Sequence, residues 1–210
     1  MNDQQQPRRY YEVWFDDTDP RSMFSQEEDL RGIDRWIIYK GARISDWPEE
    51  VTFYVRGERA EDYLFSALPG WVLVSERVRE AFEDCEIKGV QFLPVNVRHK
   101  ENGSSVGTYW ILNVVDVIEA LDWERTRWLH PERKFDDEHP ILDVVSIALD
   151  LDAVRGADIF RLKVKSDVTT GVYISERLKT CLDAANATSG FKFIGIPAYT
   201  RDSDHTQHMG

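Results

Sequence analysis

Two imidazoles and a run of carboxylates share one short stretch: His130 and His139 flank Pro131, Glu132, Arg133, Lys134, Phe135, Asp136, Asp137 and Glu138. Such side chains can ligate a divalent metal. The interval between the imidazoles, however, matches neither the i, i+4 helical spacing nor the short-loop spacing that presets a zinc site, and no cysteine lies near. The stretch reads as a solvated charged loop. His205 and His208 stand in a polar segment with nothing to hold them. For nucleophilic catalysis Ser75 and Ser175 come first, but neither lies in a Gly-x-Ser-x-Gly elbow and each has a structural task as a helix cap. There is no Gly-x-x-x-x-Gly-Lys phosphate loop and no Gly-x-Gly-x-x-Gly dinucleotide fingerprint. Asp16/Asp17 and Asp136/Asp137 are neighbours in sequence, and nothing sets a partner across a cleft from them for acid–base work. The residues thus supply no catalytic set, no metal site and no cofactor site.

The organisation of the chain is more telling. Val72-Leu73-Val74-Ser75-Glu76-Arg77-Val78-Arg79-Glu80-Ala81-Phe82 returns one hundred positions later as Val172-Tyr173-Ile174-Ser175-Glu176-Arg177-Leu178-Lys179-Thr180-Cys181-Leu182. This self-similarity predicts one strand–cap–helix–strand unit used twice, at about 71–97 and 171–197. In each copy the serine can accept a backbone N–H at the helix start, and the glutamate after it meets the positive end of the helix dipole. Val78, Ala81, Phe82 and Cys85 form one apolar stripe at helical spacing; Leu178, Cys181, Leu182 and Ala185 form its counterpart. Arg77 and Arg177 are read as structural partners of carboxylates. Gly89 and Gly190 fall where the chain must turn, and Val90/Phe92 and Phe191/Phe193 then alternate with polar residues as in a half-buried strand.

Elsewhere Tyr11–Phe15, Val51–Val55, Thr108–Val115 and Ile159–Leu162 read as strands, with an irregular region between the first two. Asp116–Trp123 is expected to turn into a short helix, and Glu124–His139 to be a surface loop. The expected fold is α+β: a mixed β-sheet with packed helices in a single domain over 10–199, flanked by loose tails at 1–9 and 201–210.

Composition narrows the functions. With 42% hydrophobic and 30% charged residues the chain can bury a core. A formal charge of -12 argues against nonspecific binding to nucleic acid or to an anionic membrane and favours a basic partner. No run approaches the length of a membrane span. Cys85 aligns with Ala185 and Cys181 with Ala81, so each cysteine is read as a small hydrophobe in a slot that the other copy fills with alanine. That reading, with the polar stretch Met1–Arg9 that lacks an apolar centre, fits a cytoplasmic protein.

The motifs in order are the Ser-Glu-Arg helix start within Val72–Phe82, then Gly89-Val90-Gln91-Phe92-Leu93-Pro94-Val95, then Tyr109–Asp122. The Ala157–Leu162 strand follows, and the second Ser-Glu-Arg helix ends in Gly190-Phe191-Lys192-Phe193. This succession, spanning about Tyr10–Ile196, resembles the myxobacterial-type immunity domain family, bacterial proteins assigned to polymorphic toxin systems. The resemblance implies a non-enzymatic, cytoplasmic inhibitor that binds a cognate toxin and protects the producing cell. It carries over no catalytic residue. Its matching residues are scaffold, so the toxin-binding candidates are acidic loops outside them: Asp16, Asp17 and Asp19, and Asp136, Asp137 and Glu138. An acidic surface can steer onto and cover a basic cleft such as that of a nuclease. Two other classes share the composition. A regulatory or scaffolding protein-binding module has every feature but the toxin; a hydrolase would need a nucleophile and base that the sequence does not supply.

Overall fold

The structure, a computed structural model, describes residues 9–128, 144–164, 167–168 and 171–200. The chain opens with β1 (Tyr10–Phe15), β2 (Phe24–Asp29), a 3-10 turn at Ile37–Lys40, β3 (Thr52–Arg56), β4 (Tyr63–Ser66) and β5 (Leu73–Ser75). There follow α1 (Glu76–Asp84), β6 (Val90–His99), β7 (Ser105–Val114), β8 (Val117–Ile118), β9 (Arg127–Trp128), β10 (Val144–Ser146) and β11 (Leu149–Asp150). The last elements are α2 (Leu151–Val154), β12 (Ile159–Val164), β13 (Asp167–Val168), β14 (Val172–Ser175), α3 (Glu176–Ala184), β15 (Phe191–Ile196) and β16 (Ala198–Tyr199).

These elements make an α+β fold, but the strands do not form one mixed sheet. Strands β2-β3-β6-β7-β5-β4 close into a barrel, and β13-β12-β14-β1-β15 make a second sheet in which β8 lies beside β12. The period-2 alternation of side chains sorts the residues into layers. Phe53, Trp71, Leu73, Leu93 and Ile111 fill the barrel. Val72, Val74, Leu112 and Val114 leave its outer wall and meet α1, α3 and the facing side chains Val172 and Ile174 of the second sheet. Tyr10, Phe160 and Tyr173 cover the far side of that sheet with Leu149 and Val154. The two helices are therefore a layer between barrel and sheet. No helix among the described residues is long and apolar enough to cross a membrane.

The two Ser-Glu-Arg segments carry the same local structure. Ser75 Oγ accepts from Val78 N (3.4 Å) and Ser175 Oγ from Leu178 N (3.2 Å), so each helix starts on its serine. Each helix ends in a left-handed residue, Glu86 at φ 52° and Asn186 at φ 51°, and the glycine lies a few positions further on. Gly190 has φ +78°, and a Cβ there would stand 2.4 Å from the Tyr63 carbonyl oxygen, so no other residue fits without moving the barrel.

The match extends beyond the segments legible in sequence. Ser75 Oγ donates to Asp62 Oδ1 at 2.7 Å and Ser175 Oγ to Asp158 Oδ1 at 2.7 Å; Ser75 N and Ser175 N each donate to the carbonyl of the same aspartate at 2.9 Å. Arg77 donates to Asp62, and Arg177 to Asp158. Tyr63 pairs with Val74 as Ile159 pairs with Ile174. Trp110, opposite Val74 on β7, donates to Glu76, and Tyr11, opposite Ile174 on β1, donates to Glu176. The strand carrying this donor thus comes after α1 in the barrel, as β7, and before α3 in the sheet, as β1.

Three expectations are corrected. Asp116–Trp123 is not helical: Val117–Ile118 pairs in parallel with Arg161–Leu162, because the side of β12 offers backbone partners that override the helix-like apolar spacing. The region between the first two expected strands holds β2, whose Ser25 is buried and bonds the Tyr54 carbonyl at 3.1 Å; its polar sequence carries little strand signal. Cys85 and Cys181 are not separate small hydrophobes but a disulfide joining the end of α1 to the middle of α3, with Cα atoms 6.5 Å apart. Aligning one copy on the other gives the slot each cysteine occupies but not that the two helices face each other.

Candidate functional site

A groove of about 760 Å³ opens where the second sheet meets the barrel. Strand β1 supplies one wall. Tyr11 and Val13 pack toward the helical layer, so alternation puts Glu12 and Trp14 on the opposite face, and Trp14 is 52% exposed. Phe15, last in the strand, reaches the barrel: its ring lies 5.7 Å from Tyr63 and 5.5 Å from Phe65. Phe65 in turn is 41% exposed. Tyr63 continues inward to Phe191 at 5.2 Å, and Phe191 stacks on Phe193. This aromatic chain anchors the groove floor to the helical layer. Burial pushes the Tyr63 hydroxyl up to about 12, so it stays neutral near pH 7.

The charged lining is of one sign: Glu12, Asp17 and Asp19, with no lysine or arginine among the lining residues. Asp19 is already occupied. Its carboxylate accepts from Arg21 (2.9 Å) and Arg59 (3.1 Å), and the hydrogen bond from Arg21 above all holds its carboxyl well below the usual carboxylate range. Glu12 and Asp17 form no ion pair among the described residues; Glu12 Oε1 has only a long hydrogen bond from the Tyr173 hydroxyl, at 3.4 Å. Gly171 leaves that carboxylate its room, since a Cβ there would lie 2.9 Å from Glu12 Oε1. The groove combines exposed aromatic rings with carboxylates not matched by cations. That arrangement suits a cationic side chain with an apolar stem. Ser22, which lines the groove, donates its hydroxyl to the buried Glu61 carboxylate at 3.2 Å, but Arg59 already pairs with that carboxylate at 3.0 Å, and no group of three or more His, Cys, Asp or Glu that could hold a metal occurs among the described residues.

Of the six acidic candidates, Asp17 and Asp19 line this groove. Asp16 sits beside it in a structural role: its N–H donates to the Gly190 carbonyl at 2.9 Å and its Oδ1 accepts from Thr18 N at 3.2 Å. Asp136, Asp137 and Glu138, together with His130 and His139, lie outside the described residues. Sequence reasoning passed over Trp14, Phe65 and Glu12. One signal was present: in Tyr11-Glu12-Val13-Trp14-Phe15 the alternation that buries Tyr11 and Val13 leaves a tryptophan on the polar face.

No curated protein matches the chain. The model of the Imm11 immunity protein family matches residues 2–198, across barrel, helical layer and second sheet alike, and on that extent the chain belongs to the Imm11 immunity protein family.

Proposed function

We propose that this chain is an immunity protein that binds and neutralises a cognate bacterial toxin, protecting the producing cell in interbacterial competition through a polymorphic toxin system. The observation that carries the reading is the family match over residues 2–198. It acts by occupying the toxin rather than by turnover. The net charge of -12 supports a basic target, such as a nuclease-type effector, approached under electrostatic steering. Asp16, Asp17 and Asp19, with Asp136, Asp137 and Glu138, are the steering residues in this reading.

The same reading places the protein in the cytoplasm, where the Cys85–Cys181 disulfide would be open to reduction. It also treats the two Ser-Glu-Arg modules as copies of one unit, supported by the matched aspartate, serine and arginine bonds at Asp62 and Asp158. The test is co-expression with the toxin encoded beside it. Growth restored by the intact chain, with a stoichiometric complex on purification, is the expected outcome. A chain that neither restores growth nor binds that toxin refutes the immunity function.

A further inference from the structure

The groove between β1 and β4 has walls of aromatic carbon and a rim of carboxylates, and its exposed rings are large for a surface. Trp14 and Phe65 stand at 52% and 41% exposure, and both line this one depression. Exposed aromatic side chains gathered in a concave site, rather than scattered singly, mark an interaction surface. Its volume of about 760 Å³ has room for several side chains of a partner segment.

Charge selects the occupant. Asp19 is neutralised by Arg21 and Arg59, whereas Glu12 and Asp17 face the groove without a cationic partner among the described residues. A second copy of this chain, with its charge of -12, would meet like charge there. A lysine or arginine would not. Its stem can lie along Phe65 and Phe15, its cation can face the Trp14 ring, and its head can reach Glu12 or Asp17.

We propose that this groove is the toxin-binding site and that it takes a basic segment of the toxin, an arginine or lysine flanked by apolar residues, between Trp14 and Phe65 and against Glu12 and Asp17. The inference rests on the immunity reading and deepens it by naming the face and the chemistry of the partner. In it Trp14 is the central anchor, and the carboxylates set both the sign of the partner and the rate of encounter.

The experiment uses the full chain and the toxin domain encoded beside it, with association and dissociation followed at about 0.05 M and about 0.5 M salt. Trp14→Ala is expected to weaken binding by about thirtyfold or more, chiefly through faster dissociation, as loss of a tryptophan anchor does. Phe65→Ala gives a second reading of the same wall should the first variant fold poorly. Glu12→Gln with Asp17→Asn is expected to slow association several-fold at low salt and to flatten the salt dependence. All variants are compared at thermal midpoints matching the intact chain. If the intact chain binds and both aromatic variants bind equally well, the groove is not the site, while the immunity function stands. If the aromatic variants lose binding but the carboxylate variant keeps its salt dependence, the basic partner is refuted. If the intact chain does not bind the toxin domain, the groove and the immunity reading fall together.

Discussion

Asp62 and Asp158 allow one carboxylate to be weighed twice in the same protein, because the same serine and arginine partners meet it at different burial. Asp62 is fully buried. Its Oδ1 accepts from Ser75 Oγ (2.7 Å) and from Arg77 Nε (3.0 Å) and Nη2 (2.8 Å), and its Oδ2 accepts from Ser189 N (3.1 Å) and Ser189 Oγ (2.7 Å). Ser189 precedes β15, so this carboxylate ties the barrel to the second sheet. Asp158 keeps Ser175 and Arg177 as partners but its side chain is 23% exposed. Truncating Asp62 leaves the Ser189 N–H and two hydroxyls without an acceptor, whereas the Arg77 guanidinium, 56% exposed, is taken up by water. At ~1 kcal/mol for each part-buried donor so orphaned, Asp62→Ala costs about 3 kcal/mol, and Asp158→Ala about 1 kcal/mol. With a urea slope of roughly 2 kcal/mol/M, the midpoints fall by about 1.5 M and about 0.5 M. Equal midpoints for the two variants would show that burial and the Ser189 link do not set the difference. The pH dependence gives a second reading. Burial raises the Asp62 carboxyl, but hydrogen bonds from Ser75, Ser189 and Arg77 outweigh it and hold the group below its ordinary value. A depressed carboxyl contributes stability that is present above the unfolded value of roughly 3.9 and is lost as pH falls through the folded one. Acid therefore removes more stability from the intact protein than from Asp62→Ala.

Two further perturbations test the layer between barrel and sheet. The Cys85–Cys181 link closes a loop with a sequence separation of 96, for which the chain-entropy relation gives at most about 4.7 kcal/mol. Oxidised protein should lose about 2 to 4 kcal/mol on reduction. Cys85→Ala with Cys181→Ala should match the reduced protein in urea; a midpoint insensitive to reductant in protein shown by thiol assay to be oxidised refutes the stabilising role. Phe82 and Leu182, at 2% and 1% exposure, belong to the one core cluster between barrel and sheet, with Phe82 edge-on to Phe92 of β6 at 5.4 Å. Alanine at either leaves a cavity costing ~2 to 5 kcal/mol, and wild-type midpoints for both would refute their place in the core.

The sequence made some of this legible because local chemistry decides it. A Ser-Glu pair before an apolar stripe specifies where α1 and α3 begin, and β-branched or aromatic runs specify β1, β3 and β7. Asp62 was hidden for a geometric reason. Asp62 precedes Ser75 by 13 residues but Asp158 precedes Ser175 by 17, so at the fixed spacing of one hundred the two aspartates fall out of register. The disulfide was hidden because it depends on how two helices face, which no single copy encodes. The barrel was hidden because closure needs β2, a polar strand recognisable only from its pairing with β3 and β4. The groove is composite: Trp14 and Glu12 come from the sheet, Phe65 from the barrel, and Asp17 from the turn between them.

The family match runs over scaffold and groove alike and leaves the toxin open. The helix stripes lie in the layer between barrel and sheet, where packing fixes their types, and the capping serines start those helices. Trp14, Phe65, Glu12 and Asp17 line the groove, where the proposed partner would meet them. Charge follows the same division. Scaffold carboxylates such as Asp62 and Asp158 are spent on Arg77 and Arg177, so the excess of 38 acidic over 26 basic residues, which gives the charge of -12, must come from acids outside such pairs. Glu12 and Asp17 are among these. A field made by unpaired surface carboxylates decays over about 10 Å at 0.1 M salt and about 3 Å at 1 M. In the proposed complex, encounter with a basic toxin is therefore governed by salt, whereas retention, once Trp14 is covered, is governed by apolar contact.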